Sequence, residues 1–119
     1  MTRIQAVERT DILCCNALPQ EVKLGWLHQL EWQIWRGILA CHEAPEQPEP
    51  PGEGMEAPLF APAPFDSLYT HWLQAQIHLH SGEISRYNSA ISLFNTEYAA
   101  FESWYQRNFP PRSAGDWRL

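Results

Sequence analysis

The chain has 119 residues, 45% of them hydrophobic and 18% charged, a composition that suits one globular domain and excludes an intrinsically disordered chain. No apolar run approaches the roughly 18 residues of a membrane span, and the opening Met1-Thr2-Arg3-Ile4-Gln5 lacks the apolar stretch of a secretory signal. The net charge of −6 is unevenly placed: Glu43, Glu46, Glu49, Glu53 and Glu56 stand together without a base, and the segments on either side are near neutral. Lys23 is the sole lysine and the arginines are scattered. Nothing forms the clustered basic surface that neutralises phosphates or anionic lipid, so neither nucleic acid nor a membrane is an expected partner.

The first predicted element is a short helix from a Thr2 cap to about Cys14, with Ile4, Val7 and Ile12 as a weak apolar face. Asn16, which tolerates left-handed backbone, is its expected stop. A second helix starts near Pro19, a residue suited to a first turn. Its buried face reads Trp26, Leu27, Leu30, Ile34, Ile38 and Cys41, at steps of three and four. Gly25 and Gly37, each weakening a helix interior by about 1 kcal/mol relative to Ala, are read as points of close backbone approach. Seven of the ten prolines then fall within residues 45–64. Proline has no amide donor and drives its preceding residue to extended backbone, so no helix crosses this stretch. Residues 43–64 are therefore a Pro/Glu-rich connector inside a single domain spanning 1–119. The apolar end of that connector, residues 59–64, is expected to lie against the core.

Asp66 is the predicted N-cap of a third helix running to about Ser81, apolar on two faces through Leu68, Trp72, Ala75 and Leu79 and through Tyr69, Leu73 and Ile77. Ser81-Gly82-Glu83 reads as a tight turn, with Gly82 free to take positive φ. The fourth helix carries the strongest pattern: Ile84, Tyr87, Ile91, Phe94, Tyr98, Phe101 and Tyr105 alternate steps of three and four over three heptads, the period of a left-handed helical seam. Residues of about 65–81 and 83–108 should thus form a long antiparallel pair inside an all-α bundle of three to four helices. Pro110-Pro111 ends the last helix, leaving residues 110–119 as a loose tail.

The search for chemistry is less productive. Adjacent Cys14 and Cys15, and Cys41 beside His42, match no zinc spacing, and Cys41 is read as core. His71 and His78 share a face about 10 Å apart along the helix, too far for one ion, and His80 points elsewhere. No nucleophile elbow, phosphate-cradling loop or metalloprotease motif is present. The available carboxylates, Asp66, Glu83, Glu97 and Glu102, read as caps and exposed positions. No enzyme activity, metal, cofactor or small-molecule substrate is expected. The aromatic seam reads first as core, but Trp35, Trp104, Phe109 and Trp117 exceed what so small an interior takes up, and the surplus fits a protein–protein surface. Asn88 and Asn95, seven apart beside the seam, face solvent or fix the register of an interface.

The run Ala61-Pro62-Ala63-Pro64-Phe65-Asp66, then Leu68-Tyr69, Trp72-Leu73 and Ala75-Gln76-Ile77, continues into Gly82-Glu83, Tyr87-Asn88, Phe94-Asn95, Tyr98, Phe101, Trp104-Tyr105, Arg107 and Pro110. Together with Lys23, Trp26-Leu27 and Leu30 upstream, this set resembles small helical proteins of tailed phages and prophages encoded near portal and capsid genes, among them head–tail connectors. The resemblance covers roughly residues 20–110. It implies a virion protein, made in the bacterial cytoplasm, whose copies assemble, in a ring, between portal and tail components around a passage for DNA. The residues then expected to carry assembly are Trp72, Tyr87, Asn88, Asn95, Tyr98, Trp104 and Tyr105. The alternative is a helical protein–protein interaction module or small regulator with no virion role.

Overall fold

The computed structural model describes residues 1–43 and 49–110; the expectations placed on residues 44–48 and on the tail beyond Pro110, Trp117 included, lie outside them. The chain is all-α. Helices α1 (Arg3–Leu13), α2 (Gln20–Gly37), α3 (Ser67–His80) and α4 (Ile84–Asn108) follow in order, with a 3-10 turn at Leu39–Cys41 after α2. Helix α3 is central, in contact with α1, α2 and α4, whereas α4 lies along α3. At about 1.5 Å per residue, the 25 residues of α4 account for most of the 48 Å long axis. Among the described residues, no helix is long and apolar enough to cross a membrane.

Local signals explain most boundaries. Thr2 caps α1 reciprocally: its hydroxyl accepts the Gln5 N–H at 3.3 Å, and Gln5 Oε1 accepts the Thr2 N–H at 2.9 Å. Pro19 stands one residue before α2, where its carbonyl accepts from Val22 at 3.2 Å. Gly82 takes φ +75° in the turn that reverses the chain between α3 and α4. Asp66, in contrast, is no side-chain cap. Its backbone is already helical, and the chain runs into α3 through overlapping turns, Phe65 N–H to Pro62 O at 2.8 Å and Leu68 N–H to Phe65 O at 3.1 Å.

The core comprises Ala6 and Val7 of α1, Leu27, Leu30, Ile34 and Ile38 of the second helix and its exit, Leu68, Tyr69 and Leu73 of α3, and Phe94, Phe101 and Tyr105 of α4. Three sequence-based assignments need correction. Ile12 is 82% exposed, and α1 buries Arg3, Ala6, Val7 and Thr10 instead. Cys41 is half-buried because α2 stops at Gly37, and the tighter 3-10 turn carries Cys41 off the buried stripe, its thiol donating to Arg36 O at 3.3 Å. Gly37 meets only the Tyr98 hydroxyl, and nothing lies within 4 Å of a Cβ built on Gly25, so neither glycine marks a backbone approach.

The α4 seam is only partly internal. Phe94, Phe101 and Tyr105 are buried, Tyr87, Ile91 and Tyr98 half-buried, and Ile84 is 56% exposed. A strict seven-residue repeat drifts about 20° per heptad on a straight helix, so three heptads turn Ile84 about 60° away from Tyr105. The surplus rings are largely taken up as well. Trp104 lies 5.5 Å from Phe65 and 6.2 Å from Phe101, and Tyr105 lies 4.6 Å from Phe109 and 5.4 Å from His42. Trp35, Trp72, Trp104 and Phe109 are partly buried against the core.

The proline-rich connector ends as a strap. Leu59 N–H donates to Met1 O at 2.9 Å, while Arg3 N–H and Ile4 N–H donate to Ala57 O at 3.1 Å and Met55 O at 2.9 Å. Of the apolar end of the connector expected against the core, Leu59 and Ala61 are buried and Phe60 half-buried, whereas residues 62–64 turn outward and are exposed. Beneath the strap, Glu31 of α2 is 1% exposed and accepts the Phe60 N–H through both oxygens at 3.3 and 3.4 Å. Tyr69 of α3 accepts the Ala61 N–H at 2.8 Å and donates its own proton to Glu31.

Two stability measurements check this packing. Phe101→Ala should cost about 3–5 kcal/mol in urea denaturation, and Tyr98→Ala, whose ring is only partly buried, about 1–2 kcal/mol; equal losses would mean the seam is buried throughout. Gly25→Ala, in an open helical position, should raise stability by about 0.5–1 kcal/mol.

Candidate functional site

The seven residues expected to carry assembly divide into two groups. Trp72, Trp104, Tyr105 and most of Tyr98 serve the interior. Trp72 Nε1 donates to Trp26 O at 3.2 Å and its ring lies 5.1 Å from Phe94. The Tyr98 ring lies 5.5 Å from Phe94, and burial, together with the nearby Glu102 charge, pushes its hydroxyl pKa up. Tyr105 is shifted the same way by burial. Asn88 and Asn95 are exposed, and Tyr87 is half-buried. At about 100° per residue, Ile84, Asn88, Ile91, Asn95 and Tyr98 fall within a strip about 80° wide along one flank of α4. That strip mixes apolar and amide side chains, and Glu102 continues the same line one turn beyond Tyr98.

The opposite flank of α4 is fastened by a carboxylate. Glu97 accepts from both Ser67 and His71 of α3. This corrects the expectation that Glu97 is an exposed position, and it makes His71 part of an interhelical clamp.

A second arrangement lies at the end of the molecule where α1 stops and α3 turns into α4. Leu13, Cys14, Ile77, His78, Glu83 and Arg86 line a cleft of about 710 Å³ there. The carboxylate of Glu83 only accepts, so the His78 proton it receives at 3.0 Å sits on Nδ1, leaving Nε2 to face Cys14 Sγ at 4.0 Å. Arg86 Nη1 stands 3.7 Å from the same Glu83 oxygen. Thiol, imidazole and carboxylate in series are the parts of a thiol nucleophile. However, burial, followed by the Glu83 charge, pushes the Cys14 thiol up rather than down, which keeps it protonated and slow. Among the described residues, no three His, Cys, Asp or Glu side chains are placed to hold a metal ion. Sequence spacing could not reveal this cluster, because 64 residues separate Cys14 from His78.

The buried charges were also missed. Lys23 is buried and bonded to Asp11 at 2.6 Å and to Asn16 Oδ1 at 3.1 Å. Burial alone would raise the Asp11 carboxyl, but its bonds to Lys23 and Asn16 outweigh that and lower it. This cluster ties the α1–α2 turn, so Asn16 ends α1 through its side chain; it donates to Asp11 and to Cys14 O and accepts the Leu18 N–H.

Neither family profiles, curated proteins nor solved structures yield a match to this chain.

The cleft makes a checkable distinction between the adjacent thiols. Exposed Cys15 should be alkylated by iodoacetamide at pH 8 several-fold faster than Cys14, read by peptide mass spectrometry. Preferential labelling of Cys14 would show that His78 activates it.

Proposed function

We propose that this chain is a virion assembly protein of the tailed-phage type, a head–tail connector whose copies associate through α4 and dock between portal and tail components. The observation that supports it best is the division of labour in the α3–α4 hairpin. The residues that carry the phage resemblance build this hairpin, and most of them have an internal role: Leu68, Tyr69, Leu73, Ala75, Ile77, Phe94, Phe101 and Tyr105 are buried. Asn88 and Asn95 belong to the same set and are exposed. Residues of a shared pattern that do not pack internally are the ones left to meet a partner. On α4 they stand one heptad apart, flanked by Ile84 and Ile91.

Such a strip fits helix–helix association in a ring. Isoleucine supplies apolar area, and paired amides fix the register through hydrogen bonds across the interface. A net charge of −6 with one lysine also suits a passage that lets DNA slide without gripping its phosphates. The adaptor role needs no cofactor or substrate, and the virion is then its place of work after synthesis in the host cytoplasm.

Light scattering coupled to size exclusion tests the association. The wild-type chain, alone or with the portal protein encoded beside it, should elute as a multimer. Asn95→Arg should reduce it to a monomer with unchanged helix content by circular dichroism. A wild-type chain that stays monomeric and ignores portal would overturn the connector reading in favour of a helical interaction module acting elsewhere.

A further inference from the structure

The strap over residues 57–61 is tied to the start of α1 by backbone bonds at Met55, Ala57 and Leu59, and to α2 and α3 by the Phe60 and Ala61 amides, of which the first ends on the Glu31 carboxyl. Its flanks are open: residues 52–56 and 62–64 are exposed, and Gly54 takes φ +99°. Leu59 and Ala61 are buried, and Phe60 packs partly buried against the core. The two amides that point inward, Phe60 N–H and Ala61 N–H, go to Glu31 and to Tyr69, which are themselves hydrogen-bonded to each other. We propose that Glu31 and Tyr69 form a proton-operated latch, in which loss of the Glu31 proton favours release of the 57–61 strap from α1, α2 and α3 while the helical core stays folded.

The charges around the carboxyl set the direction. From α1, the buried Arg3 guanidinium lies close and favours the carboxylate, but its Nη2 is engaged with His28 Nδ1 of α2 at 3.1 Å and its Nε has no partner. From α3, Tyr69 donates one hydrogen bond; burial, then the Glu31 charge, pushes its own pKa well above 10, so it stays a donor. From the strap, Phe60 N–H donates. Together these do not offset burial, the largest influence, and the Glu31 carboxyl is raised from 4.5 to about 7. A group that holds its proton more tightly in the closed form stabilises that form fully below about pH 4.5. The stabilisation fades as pH rises towards about 7 and is gone above it. Opening the strap lets water reach the carboxylate, which the core helices need not unfold to achieve.

Opening also frees the Arg3 and Ile4 amides of the α1 first turn, now bonded to Ala57 O and Met55 O.

Amide hydrogen exchange by NMR on the whole chain tests the latch. After correction for intrinsic rates, protection at Phe60 and Ala61 should fall about tenfold or more between pH 5 and pH 8, while Leu27 and Leu30 in α2 change far less. In Glu31→Gln the strap amides should keep the same protection at both values. A flat wild-type response, an equal loss at Leu27 and Leu30, or an unchanged fall in Glu31→Gln would each overturn the proposal. If that variant does not fold, the wild-type Glu31 carboxyl carbon can be titrated directly. A midpoint near 7 shared by the Phe60 amide shift supports the latch, and a midpoint near 4.5 refutes it.

Discussion

Four amides at the start of an α-helix have no partner inside it, and in this chain the answer to that requirement organises the rest. Thr2 and Gln5 satisfy two of them reciprocally through the Thr2 hydroxyl and Gln5 Oε1, and the proline-rich strap supplies the other two partners through Met55 O and Ala57 O. In return, Met1 O accepts the Leu59 amide. A segment rich in proline has carbonyls to offer and few amides to satisfy, so it suits this donor-rich helix end well. The exchange fixes where the strap lies, and the strap fixes where α3 can begin. It carries Leu59 and Ala61 into the core and delivers Phe65 beside Phe101 and Trp104. The central helix is therefore placed by a connector that has no regular structure of its own.

Polar side chains repeat this logic inside the bundle. Asp11 and Lys23 join α1 to α2, Glu31 and Tyr69 join α2, α3 and the strap, and Glu97 joins α4 to Ser67 and His71 of α3. Each joins separate elements of the fold, and each involves a side chain that would be costly to leave unpaired once buried. Apolar packing among Leu27, Leu30, Ile34, Leu68 and Leu73 tolerates sliding more readily than these bonds do. The polar ties are what select one register among several that would bury similar area.

The helices were readable because their signals are local. Thr2, Pro19, Gly82 and Pro110 mark boundaries within a residue or two, and the three-and-four spacing of Leu27, Leu30, Ile34 and Ile38 identifies the face of α2 that is buried. What escaped was whatever depended on distant contacts. Asp66 has the right chemistry for a cap, but the turn through Pro62 and Phe65 sets its backbone first. Lys23 and Glu31 look like surface charges in sequence, since nothing nearby announces Asp11 or Phe60 as partners. The aromatic count overstated the free surface because rings pack at tilted and edge-on angles in a chain from Phe65 through Phe101 and Tyr105 to Phe109 and need only partial burial. The cleft of Cys14, His78 and Glu83 forms where two helix ends meet, and no periodicity reports such a meeting.

The heptad in α4 shows how one pattern can serve two purposes. A seven-residue repeat stays on one face only when the helix supercoils about a partner along its whole length. Helix α3 is 14 residues long against 25 in α4 and lies beside the first half of α4, since Ser67 at its start reaches Glu97. Tyr105, Phe101 and Phe94 pack internally, and the growing drift rotates Ile91 to the boundary and Ile84 into solvent. A sequence selected only to fold this monomer would gain by shifting its apolar positions to the 3.6 period at that end. The strict repeat instead places Ile84, Asn88, Ile91 and Asn95 in one line on a flank that α3 does not cover, where a second helix could pack. That line is the physical reason why the proposed assembly runs through α4 rather than through the cleft or the strap.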